Sequence, residues 1–334
     1  MKIQVFEAEP WECPTFEALQ QKHEVQCAEG PLRAGNAGAY SDADIISTFI
    51  YSKLGRDVLE QFDNLRMIAT RSTGFDHIDL EYCREHNICI SNVPTYGQNT
   101  VAEHVFGLLL TISHKLDRAV DRTRRGDFTQ QGLQGFDLEG KTLGVVGTGD
   151  IGRYVIRIAT GFNMKVLAYD VAPDEDAARE LGFEYADLDA LLGRSDIVTL
   201  HVPANEKTRH LISDREIGLM KDGAVIINTS RGSVLDIQAL VRALADGKIA
   251  AAGLDVLPEE PIVREEAELL RSVFRKEHNL ESLLADHIVL RMRNVVVTPH
   301  SAFNTREAVR RILDTTVANI QSFLAGEPRN AVGK

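Results

Sequence analysis

The feature that most constrains this chain is a glycine turn that joins an apolar run to a helical pattern. The run Leu143–Val146 meets Gly147, Gly149 and Gly152, which have the spacing G-x-G-x-x-G. A strand that ends in such a turn points backbone N–H groups outward at a helix N-terminus, where the helix dipole favours an anion. The first glycine permits the tight turn, the second lets a pyrophosphate approach the backbone, and the third lets the helix lie close to the sheet. The pattern predicts a dinucleotide-binding βα unit.

An acid at the end of the next apolar run indicates which dinucleotide binds. Lys165–Tyr169 is followed by Asp170, 18 residues after Gly152. A carboxylate in this place accepts hydrogen bonds from the ribose hydroxyls of NAD and repels the 2′-phosphate of NADP. The sequence therefore predicts NAD as the cofactor. An ordinary βα turn without a ligand is the alternative, and Asp170 argues against it.

The charge and composition of the chain narrow the classes of partner. Its 334 residues carry a net charge of −12, which disfavours nucleic acid or an anionic membrane surface because both require a basic footprint. An anionic small molecule stays compatible, since positive charge can gather locally. We find no signal peptide and no apolar run near the roughly 18–20 residues that span a bilayer. The four cysteines lack metal-ligand spacing, so we expect free thiols, a reducing cytoplasm and no metal site.

Short apolar runs alternate with helical patterns along the chain. Before the glycine turn we expect strands at 3–6, 44–50, 66–72 and 88–91, with helices near 56–62 and 79–85. After it we expect strands over 196–201, 223–228, 249–255 and 294–298, and a last helix over 306–324. A charge-rich segment between 261 and 293 is interpreted as a mostly helical, solvated insertion. The alternation predicts an α/β fold of doubly wound parallel sheets, with a small α/β domain before the glycine turn.

Two loops that follow strands of the first half are candidates for ligand binding. Ligands of open α/β sheets lie outside the carboxyl ends of the strands. Thr73 and Gly74 follow the third strand, where a glycine exposes backbone N–H groups, and Tyr96 follows the fourth strand and offers a hydroxyl. Plain connecting turns are the alternative at both places.

A long helix is expected after Tyr96. Thr100 and Glu103 fit a capping box at its start. We expect this helix to bury one face, because it either connects the two domains or packs against a second subunit. His104 is expected to have a structural role. Apolar residues recur at helical spacing at Val101, Val105, Leu108, Leu109, Ile112 and Leu116.

Three ionisable residues follow later strands or the turns after them: Arg231, Glu260 and His300. An arginine grips a carboxylate through two parallel hydrogen bonds, and a histidine exchanges one proton near neutral pH. A carboxylate bonded to the far ring nitrogen would orient the imidazole and raise its pKa. With a nicotinamide, this set suits an oxidoreductase acting on a 2-oxo or 2-hydroxy acid. A surface arginine, a solvated glutamate and a turn histidine are the alternatives.

The combination of these motifs resembles the D-2-hydroxyacid dehydrogenase family, most closely its D-lactate dehydrogenase branch. The resemblance extends over nearly the whole chain. It is carried by residues 72–79, 93–96, 101–104, 147–152, 201–203, 228–232, 253–256, 260–261 and 298–302.

The resemblance implies two Rossmann-like, doubly wound parallel-sheet domains with a cleft between them. The substrate domain would be made from residues 1–98 and 301–334, and the NAD-binding domain from 99–300. It implies that Arg231, Glu260 and His300 are catalytic, and that the family's homodimer forms through the helix starting near Thr100. The cofactor contacts implied are Gly147, Gly149, Asp150, Ile151, Gly152, Asp170, Val202, Pro203, Thr208, Thr229, Ser230, Arg231 and Asp255. The substrate contacts implied are Phe49, Thr73, Gly74, Tyr96 and Phe303.

The lactate branch is indicated by Tyr96, by the insertion after Glu260 and by the residues around Phe303. The branch often has a tyrosine where Phe303 stands, and this loss of a hydroxyl favours bulkier or more apolar keto acids. The resemblance to the lactate branch makes pyruvate the expected substrate, with phenylpyruvate, glyoxylate and hydroxypyruvate as alternatives. A non-catalytic, NADH-sensing protein resembling a corepressor is a further alternative from a different class.

Overall fold

The computed structural model describes residues 1–258 and 280–333. The chain divides into two compact units. One is discontinuous and consists of Met1–Tyr96 and Asn304–Lys334, and the other, the central unit, is Gly97–Phe303.

The discontinuous unit is built on a six-stranded sheet in the order β13-β5-β4-β3-β1-β2. All neighbouring strands are parallel except for the short antiparallel pair of β13 with β5. The strands are β1 Lys2–Val5, β2 Glu24–Cys27, β3 Ile45–Thr48, β4 Met67–Thr70, β5 Cys89–Ser91 and β13 Ala331–Val332. The helices are α1 Glu17–Gln20, α2 Arg56–Leu59, α3 Leu80–Glu85 and α12 Arg306–Leu324.

Two strands of this sheet were not expected from the sequence. In β2 only Val25 is partly covered, and the other three residues are exposed. An edge strand without a buried face shows no apolar alternation to reveal it. Strand β13 has only two residues, which is too few to show an apolar alternation. It forms because Ala331 and Val332 pair with Ser91 and Ile90.

Buried amides connect the last helix to this sheet. The Asn319 side chain on α12 is buried and donates to the Asn92 carbonyl at 2.8 Å. Its oxygen accepts from Asn330 Nδ2 at 2.8 Å, and the Asn330 carbonyl in turn accepts from the Asn92 N–H at 3.1 Å. This closed set of bonds joins the two chain ends within one unit.

The central unit contains a seven-stranded parallel sheet in the order β12-β11-β10-β9-β6-β7-β8. The strand order reverses beside β6, so the turn after β6 lies where doubly wound sheets bind ligands. The strands are β6 Thr142–Val146, β7 Lys165–Tyr169, β8 Glu184–Tyr185, β9 Ile197–Leu200, β10 Ala224–Asn228, β11 Ile249–Leu254 and β12 Val295–Val297. The helices are α4 Gln98–His114, α5 Leu116–Arg124, α6 Asp150–Gly161, α7 Glu175–Leu181, α8 Leu188–Arg194, α9 Asp214–Leu219, α10 Ile237–Ala245 and α11 Leu280–Val289.

Both faces of this sheet are covered. Val225 and Ile227 of β10 join one apolar cluster with α4 and α6, whereas Ile226 between them joins a second cluster with α9 and α10. A strand buried on both faces is apolar at every position, which is why β10 appears as a continuous run. The prediction of two doubly wound α/β domains is confirmed.

The start and the end of the long helix differ from expectation. Helix α4 begins at Gln98 after Gly97, without a side-chain cap, so the predicted capping box at Thr100 is wrong. Thr100 is buried inside the helix, and Glu103 accepts from the Asn99 amide at 3.2 Å instead. Lys115 adopts a left-handed conformation (φ 51°) and separates α4 from α5, which places Leu116 on the second helix.

Most of the charge-rich insertion, residues 259–279, lies outside the described residues. Its last part forms α11, whose Ala285 and Val289 are buried in the core of the central unit. Within the described part of the chain, every helix is too short or too polar to cross a membrane.

Replacing the buried Asn319 should destabilise the discontinuous unit. The variant Asn319→Ala leaves the Asn92 carbonyl and the Asn330 amide without their partner, so we expect the free energy of unfolding to fall by about 1–3 kcal/mol. Urea unfolding monitored by fluorescence is the measurement, because the single tryptophan, Trp11, lies in this unit. Gln321→Ala, an exposed amide on the same helix, is the control, and an equal effect of both variants would contradict the prediction.

Candidate active site

Three neighbouring strands of the central unit end in one row. Asn228 of β10 is in register with Leu254 of β11, and Leu254 is in register with Val297 of β12. The chain therefore delivers Arg231 and His300, each three residues beyond its strand, to the same edge of the sheet, on either side of Asp255. A site assembled from these loops is what the sequence predicted for this edge.

Buried Asn228 shapes the loop that carries Arg231. Its Oδ1 accepts from the backbone N–H and the hydroxyl of Ser230, at 3.0 and 2.7 Å, and its Nδ2 donates to the Arg231 carbonyl at 3.0 Å. The half-buried Arg231 guanidinium donates to the Ser230 carbonyl at 2.8 Å. Asn228 thus sets the course of the backbone on both sides of the arginine.

The next residue of this loop contacts the chain that leads to Glu260. A methyl group on Gly232 would lie 2.3 Å from the Leu257 carbonyl carbon and 2.4 Å from the Pro258 nitrogen, so the two backbones touch. Glu260 itself is outside the described residues, and its catalytic role stays a prediction. The last described residue before it, Pro258, lies beside the Arg231 loop.

His300 is held in an unusual backbone conformation by Asp255. Its φ is 52°, in the left-handed region that non-glycine residues rarely occupy. Its N–H donates to the Asp255 carbonyl at 2.9 Å. The Asp255 carboxylate accepts the Thr298 hydroxyl at 2.5 Å and the N–H groups of Ser301 and Ala302, both at 2.9 Å. One buried acid therefore binds the residues before and after the histidine.

The carboxylate of Asp255 also contacts His104 of α4. The His104 Nε2 lies 3.0 Å from the Thr298 hydroxyl and 3.4 Å from Asp255 Oδ1. Burial alone would raise the pKa of Asp255, but the hydrogen bonds from His104, Thr298 and the two backbone N–H groups outweigh burial and lower it. Asp255 is therefore an ionised anchor. The predicted structural role of His104 is consistent with these contacts. Its partners Thr298 and Asp255 were not predicted from the sequence.

A second histidine at the strand ends is unsuited to proton exchange. His201 follows β9, and its Nε2 lies 2.9 Å from the Thr199 hydroxyl. Burial lowers the pKa of His201 to about 3, so its ring stays neutral at physiological pH. His300 is left as the candidate acid and base of this edge.

The three glycines of the turn occupy three different environments. Gly147 has a φ of 99°, and a methyl group there would lie 2.7 Å from the His201 carbonyl oxygen. A methyl group on Gly152 would lie 2.1 Å from the Gly147 oxygen, so the helix and the turn are in contact. A methyl group on Gly149 would meet no atom within 4 Å. A tight turn, an open approach and a close helix contact are what a pyrophosphate site requires.

The acid expected to bind the ribose is fixed in place. Asp170 follows β7, and its Oδ2 accepts from the Thr148 N–H at 2.7 Å while its Oδ1 accepts from the Ala172 N–H at 2.9 Å. Burial acts to raise the pKa of Asp170, but these hydrogen bonds outweigh it and lower the pKa. The carboxylate is charged at neutral pH, which suits neutral ribose hydroxyls and opposes a phosphate.

The remaining residues predicted to contact the cofactor lie around this turn and the strand ends. Asp150 is exposed and Ile151 half-buried in the first turn of α6, and Val202 packs against Gly147. Pro203 is exposed, and its carbonyl accepts the Thr208 hydroxyl at 2.6 Å. Thr229 differs from the rest, because its buried Oγ1 has no hydrogen-bond partner among residues 1–258 and 280–333. An orphaned hydroxyl beside Arg231 is consistent with a polar ligand there.

The residues predicted to bind substrate are divided between the units. Phe49, Thr73, Gly74 and Tyr96 belong to the discontinuous unit and follow β3, β4 and β5, and Phe303 belongs to the central unit. The Thr73 hydroxyl donates to the Val93 carbonyl at 2.8 Å, which connects the two loops. Phe49 is half-buried in edge-to-face contact with Tyr51, with ring centroids 6.1 Å apart.

The strand order, the glycine turn and the charged acid after β7 are those of a fold that binds nicotinamide dinucleotides. Comparison with known proteins agrees. The sequence model of the D-isomer specific 2-hydroxyacid dehydrogenase NAD-binding domain matches residues 106–302. The chain belongs to this family and is an NAD-dependent 2-hydroxyacid dehydrogenase.

Relatives of known name are similar over nearly the full length. The chain is 34% identical to the D-lactate dehydrogenase of Escherichia coli, over 98% of each chain. It is 35% identical to an aromatic 2-oxoacid reductase of Clostridium sporogenes, over 99% of this chain and 98% of the relative. The crystal structure of D-lactate dehydrogenase from Aquifex aeolicus with NAD and lactic acid is similar with a TM-score of 0.85 and 36% identity, covering 97% of this chain and 96% of that one.

Replacing Asp255 by Asn should affect both catalysis and stability at low pH. The amide cannot accept all four donors, so His300 shifts and we expect kcat to fall by about 10²-fold. Because folding lowers the Asp255 pKa, its stabilisation is present above the unfolded value of about 4 and is lost as the pH falls through the folded pKa. The stability gap between the native protein and the variant should therefore be constant from pH 5 to 8 and narrow at lower pH.

Urea unfolding monitored by circular dichroism across this pH range measures the gap, and steady-state kinetics gives kcat. Asp246→Asn, at an exposed position of the same unit, is the matched control and should change neither. A native-like kcat in Asp255→Asn would contradict the anchoring role.

Two glycine variants should separate folding from cofactor binding. In Gly152→Ala the methyl group collides with backbone, so we expect a lower unfolding temperature. In Gly149→Ala the methyl group meets no protein atom and the unfolding temperature should not change, but the methyl group fills the approach of the pyrophosphate. We expect the Kd for NADH to rise about tenfold or more, measured by fluorescence titration. Unchanged NADH binding in Gly149→Ala would show that the cofactor approaches elsewhere.

Proposed function

We propose that the protein reduces pyruvate to D-lactate with NADH, and catalyses the reverse reaction with NAD. The observation that carries this proposal is the turn at His300, which Asp255 holds at the same sheet edge as the Arg231 loop. The D-lactate dehydrogenases among the similar proteins support pyruvate as the substrate.

The reaction adds two electrons and two hydrogens to the keto group. The reduced nicotinamide supplies a hydride to C2 of the substrate. Protonated His300 donates its proton to the carbonyl oxygen, so that the C=O double bond becomes a CH–OH group. In the reverse direction neutral His300 accepts the hydroxyl proton, and proton transfer of this kind typically contributes about 10²–10⁴-fold to the rate.

Arg231 binds the substrate carboxylate through paired hydrogen bonds and polarises the keto oxygen. Its guanidinium is half-buried, and partial removal from water strengthens such a charged pair. Asn228 holds the backbone of the loop, so the loop that carries Arg231 is already ordered before substrate binds. Glu260 is proposed to hydrogen-bond to the His300 ring, which keeps the imidazole charged and oriented.

We propose that the discontinuous unit, with boundaries near residues 1–98 and 301–334, supplies the rest of the substrate contacts. Backbone N–H groups at Thr73 and Gly74 and the Tyr96 hydroxyl would bind the carboxylate, and the apolar Phe49 would contact the substrate side chain. The region 99–300 would bind NAD through the residues around the glycine turn.

A second candidate substrate is an aromatic 2-oxo acid such as phenylpyruvate. Phe303 supports it, because a phenyl ring offers an apolar contact in place of the hydroxyl that the lactate branch often has there. The aromatic 2-oxoacid reductase among the relatives is as similar to this chain as the D-lactate dehydrogenase. Glyoxylate and hydroxypyruvate are the smaller alternatives.

We further propose that the protein is a homodimer of the cytoplasm. Helix α5 has no buried residue in the single chain, and its Leu116 and Val120 are exposed, as is Phe128 just beyond it. Apolar side chains grouped on one exposed segment next to α4 are typical of a subunit interface. All four cysteines are free thiols, which is compatible with a reducing compartment.

Replacing His300 tests the proposed chemistry. Asn tolerates the left-handed backbone, so His300→Asn should fold, bind NADH normally and lose at least about 10²-fold in kcat. His210 also has a left-handed backbone (φ 49°) and is exposed, and His210→Asn is the matched control with native kcat. NADH oxidation is measured with pyruvate, phenylpyruvate, glyoxylate and hydroxypyruvate.

The outcomes separate the candidate functions. The highest kcat/KM is expected with pyruvate, and a preference for phenylpyruvate would support the aromatic alternative. Full activity in His300→Asn would remove this residue from the mechanism. Binding of NADH by the native protein without turnover of any 2-oxo acid would favour a non-catalytic, NADH-sensing protein.

A further inference from the structure

A chain of hydrogen bonds extends from the glycine turn to the edge strand of the central sheet. The Thr148 hydroxyl lies between the first two glycines of the turn and is 3.0 Å from Asp170 Oδ2. On its other side it is 2.8 Å from the Tyr185 hydroxyl, which ends β8. The Tyr185 hydroxyl is 3.2 Å from the Asp174 N–H. Two hydroxyls therefore connect the predicted ribose acid to a backbone donor at Asp174, 26 residues after Thr148.

The chemistry of the groups fixes the direction of every bond in this chain. The Asp170 carboxylate is ionised and can only accept, so the Thr148 hydroxyl donates its single proton to it. Thr148 can then only accept from Tyr185, which donates its proton and itself accepts from the Asp174 N–H. All protons point toward the carboxylate, and hydrogen bonds aligned in this way strengthen one another.

An arginine closes this chain into a ring. Arg153 of α6 donates through Nε to the Thr148 carbonyl at 2.9 Å and through Nη2 to Asp174 Oδ2 at 2.9 Å. Thr148 is thus bound at its N–H, its hydroxyl and its carbonyl, and only 3% of its surface is exposed. The backbone of the turn and the orientation of Asp170 are consequently set by one network.

The network also limits which hydrogen bonds Asp170 can make to a ligand. Oδ2 already accepts two bonds from Thr148, which uses both of its lone pairs. Oδ1 accepts from the Ala172 N–H, and the Val171 N–H is a further donor to the carboxylate. A ligand hydroxyl would therefore bind on the Oδ1 side. A ligand that offers a hydroxyl donor is accepted there, and a phosphate, which offers no donor when fully ionised, is repelled.

We propose that Tyr185 is a positioning residue for cofactor selection, acting through Thr148 to hold the Asp170 carboxylate in the orientation that accepts the adenosine ribose and rejects a 2′-phosphate. The inference rests on the proposed role of Asp170 as the ribose acid. Tyr185 itself does not touch the cofactor in this proposal. Without the Tyr185 hydroxyl, the Thr148 hydroxyl is oriented by its bond to Asp170 alone, and the donor to the carboxylate is less firmly held.

Removal of this single hydroxyl in Tyr185→Phe is the test. We expect the KM and Kd for NADH to rise about three- to tenfold, the range for loss of one modest hydrogen bond. The kcat at saturating NADH should stay within about twofold of the native value. The KM for NADPH should not rise, so the preference for NADH over NADPH should fall. Tyr154→Phe, on the exposed face of α6, is the matched control and should change neither cofactor constant.

A second pair of variants tests the same chain at its middle. Thr148→Ser keeps the hydroxyl and should retain native constants, whereas Thr148→Val removes it at similar volume and should reproduce the effect of Tyr185→Phe. An equal loss in the serine and valine variants would indicate a packing role for Thr148 and would overturn the proposal. Thermal unfolding of each variant separates misfolding from a change in cofactor selection.

The variant Asp170→Ala distinguishes failure of this inference from failure of the proposed ribose role. If it leaves the NADH preference unchanged, Asp170 is not the ribose acid and the proposed role fails. If it lowers the preference while Tyr185→Phe does not, the positioning role alone fails. In the double variant Asp170→Ala/Tyr185→Phe, loss of the hydroxyl should add nothing, because no carboxylate is left to position.

Discussion

The edge of the central sheet that carries Arg231 and His300 depends on one buried carboxylate. Asp255 follows the strand between those that lead to Arg231 and His300, and its charge is balanced by donors from α4 and from the turn after β12. Because a buried ionised acid is stable only with such partners, the turn cannot relax without leaving that charge unpaired. The left-handed backbone of His300 is therefore maintained by electrostatics, and the proposed general acid is held in a fixed place before substrate arrives.

A similar logic organises the cofactor side, where Asp170 is the ionised acid and Thr148 and Ala172 supply hydrogen-bond donors. The two acids differ in what they leave open. The carboxylate oxygens of Asp255 are engaged by protein groups, and the contact of Asp255 with the cofactor stays a prediction. Asp170 keeps a position available. In the proposed function, Asp255 fixes the turn that carries His300, whereas Asp170 accepts a hydrogen bond from the cofactor.

The parts of the fold that local pattern determines were predictable from the sequence. Helix α12 was predicted over its observed length, because Thr305 caps it and one of its faces is apolar. The strands buried on both faces were evident as runs of Val and Ile. Edge strand β2 was not, since it has no buried face, and the capping box failed because the helix begins earlier, at Gln98. The roles of His104 and Tyr185 depend on partners distant in sequence, which no local pattern encodes. The polar residues Asn228, which ends β10, and Thr298, which follows β12, are the local signals that could have drawn attention to these strand ends.

The discontinuity of the first unit has a consequence for biosynthesis. Its strands β1 to β5 precede the central unit, yet helix α12 and strand β13 follow it. Domains generally fold in the order in which they leave the ribosome. In this chain the central unit is synthesised completely while the first half of the discontinuous unit still lacks helix α12, so the nascent chain exposes an unfinished apolar sheet until residues 304–333 emerge.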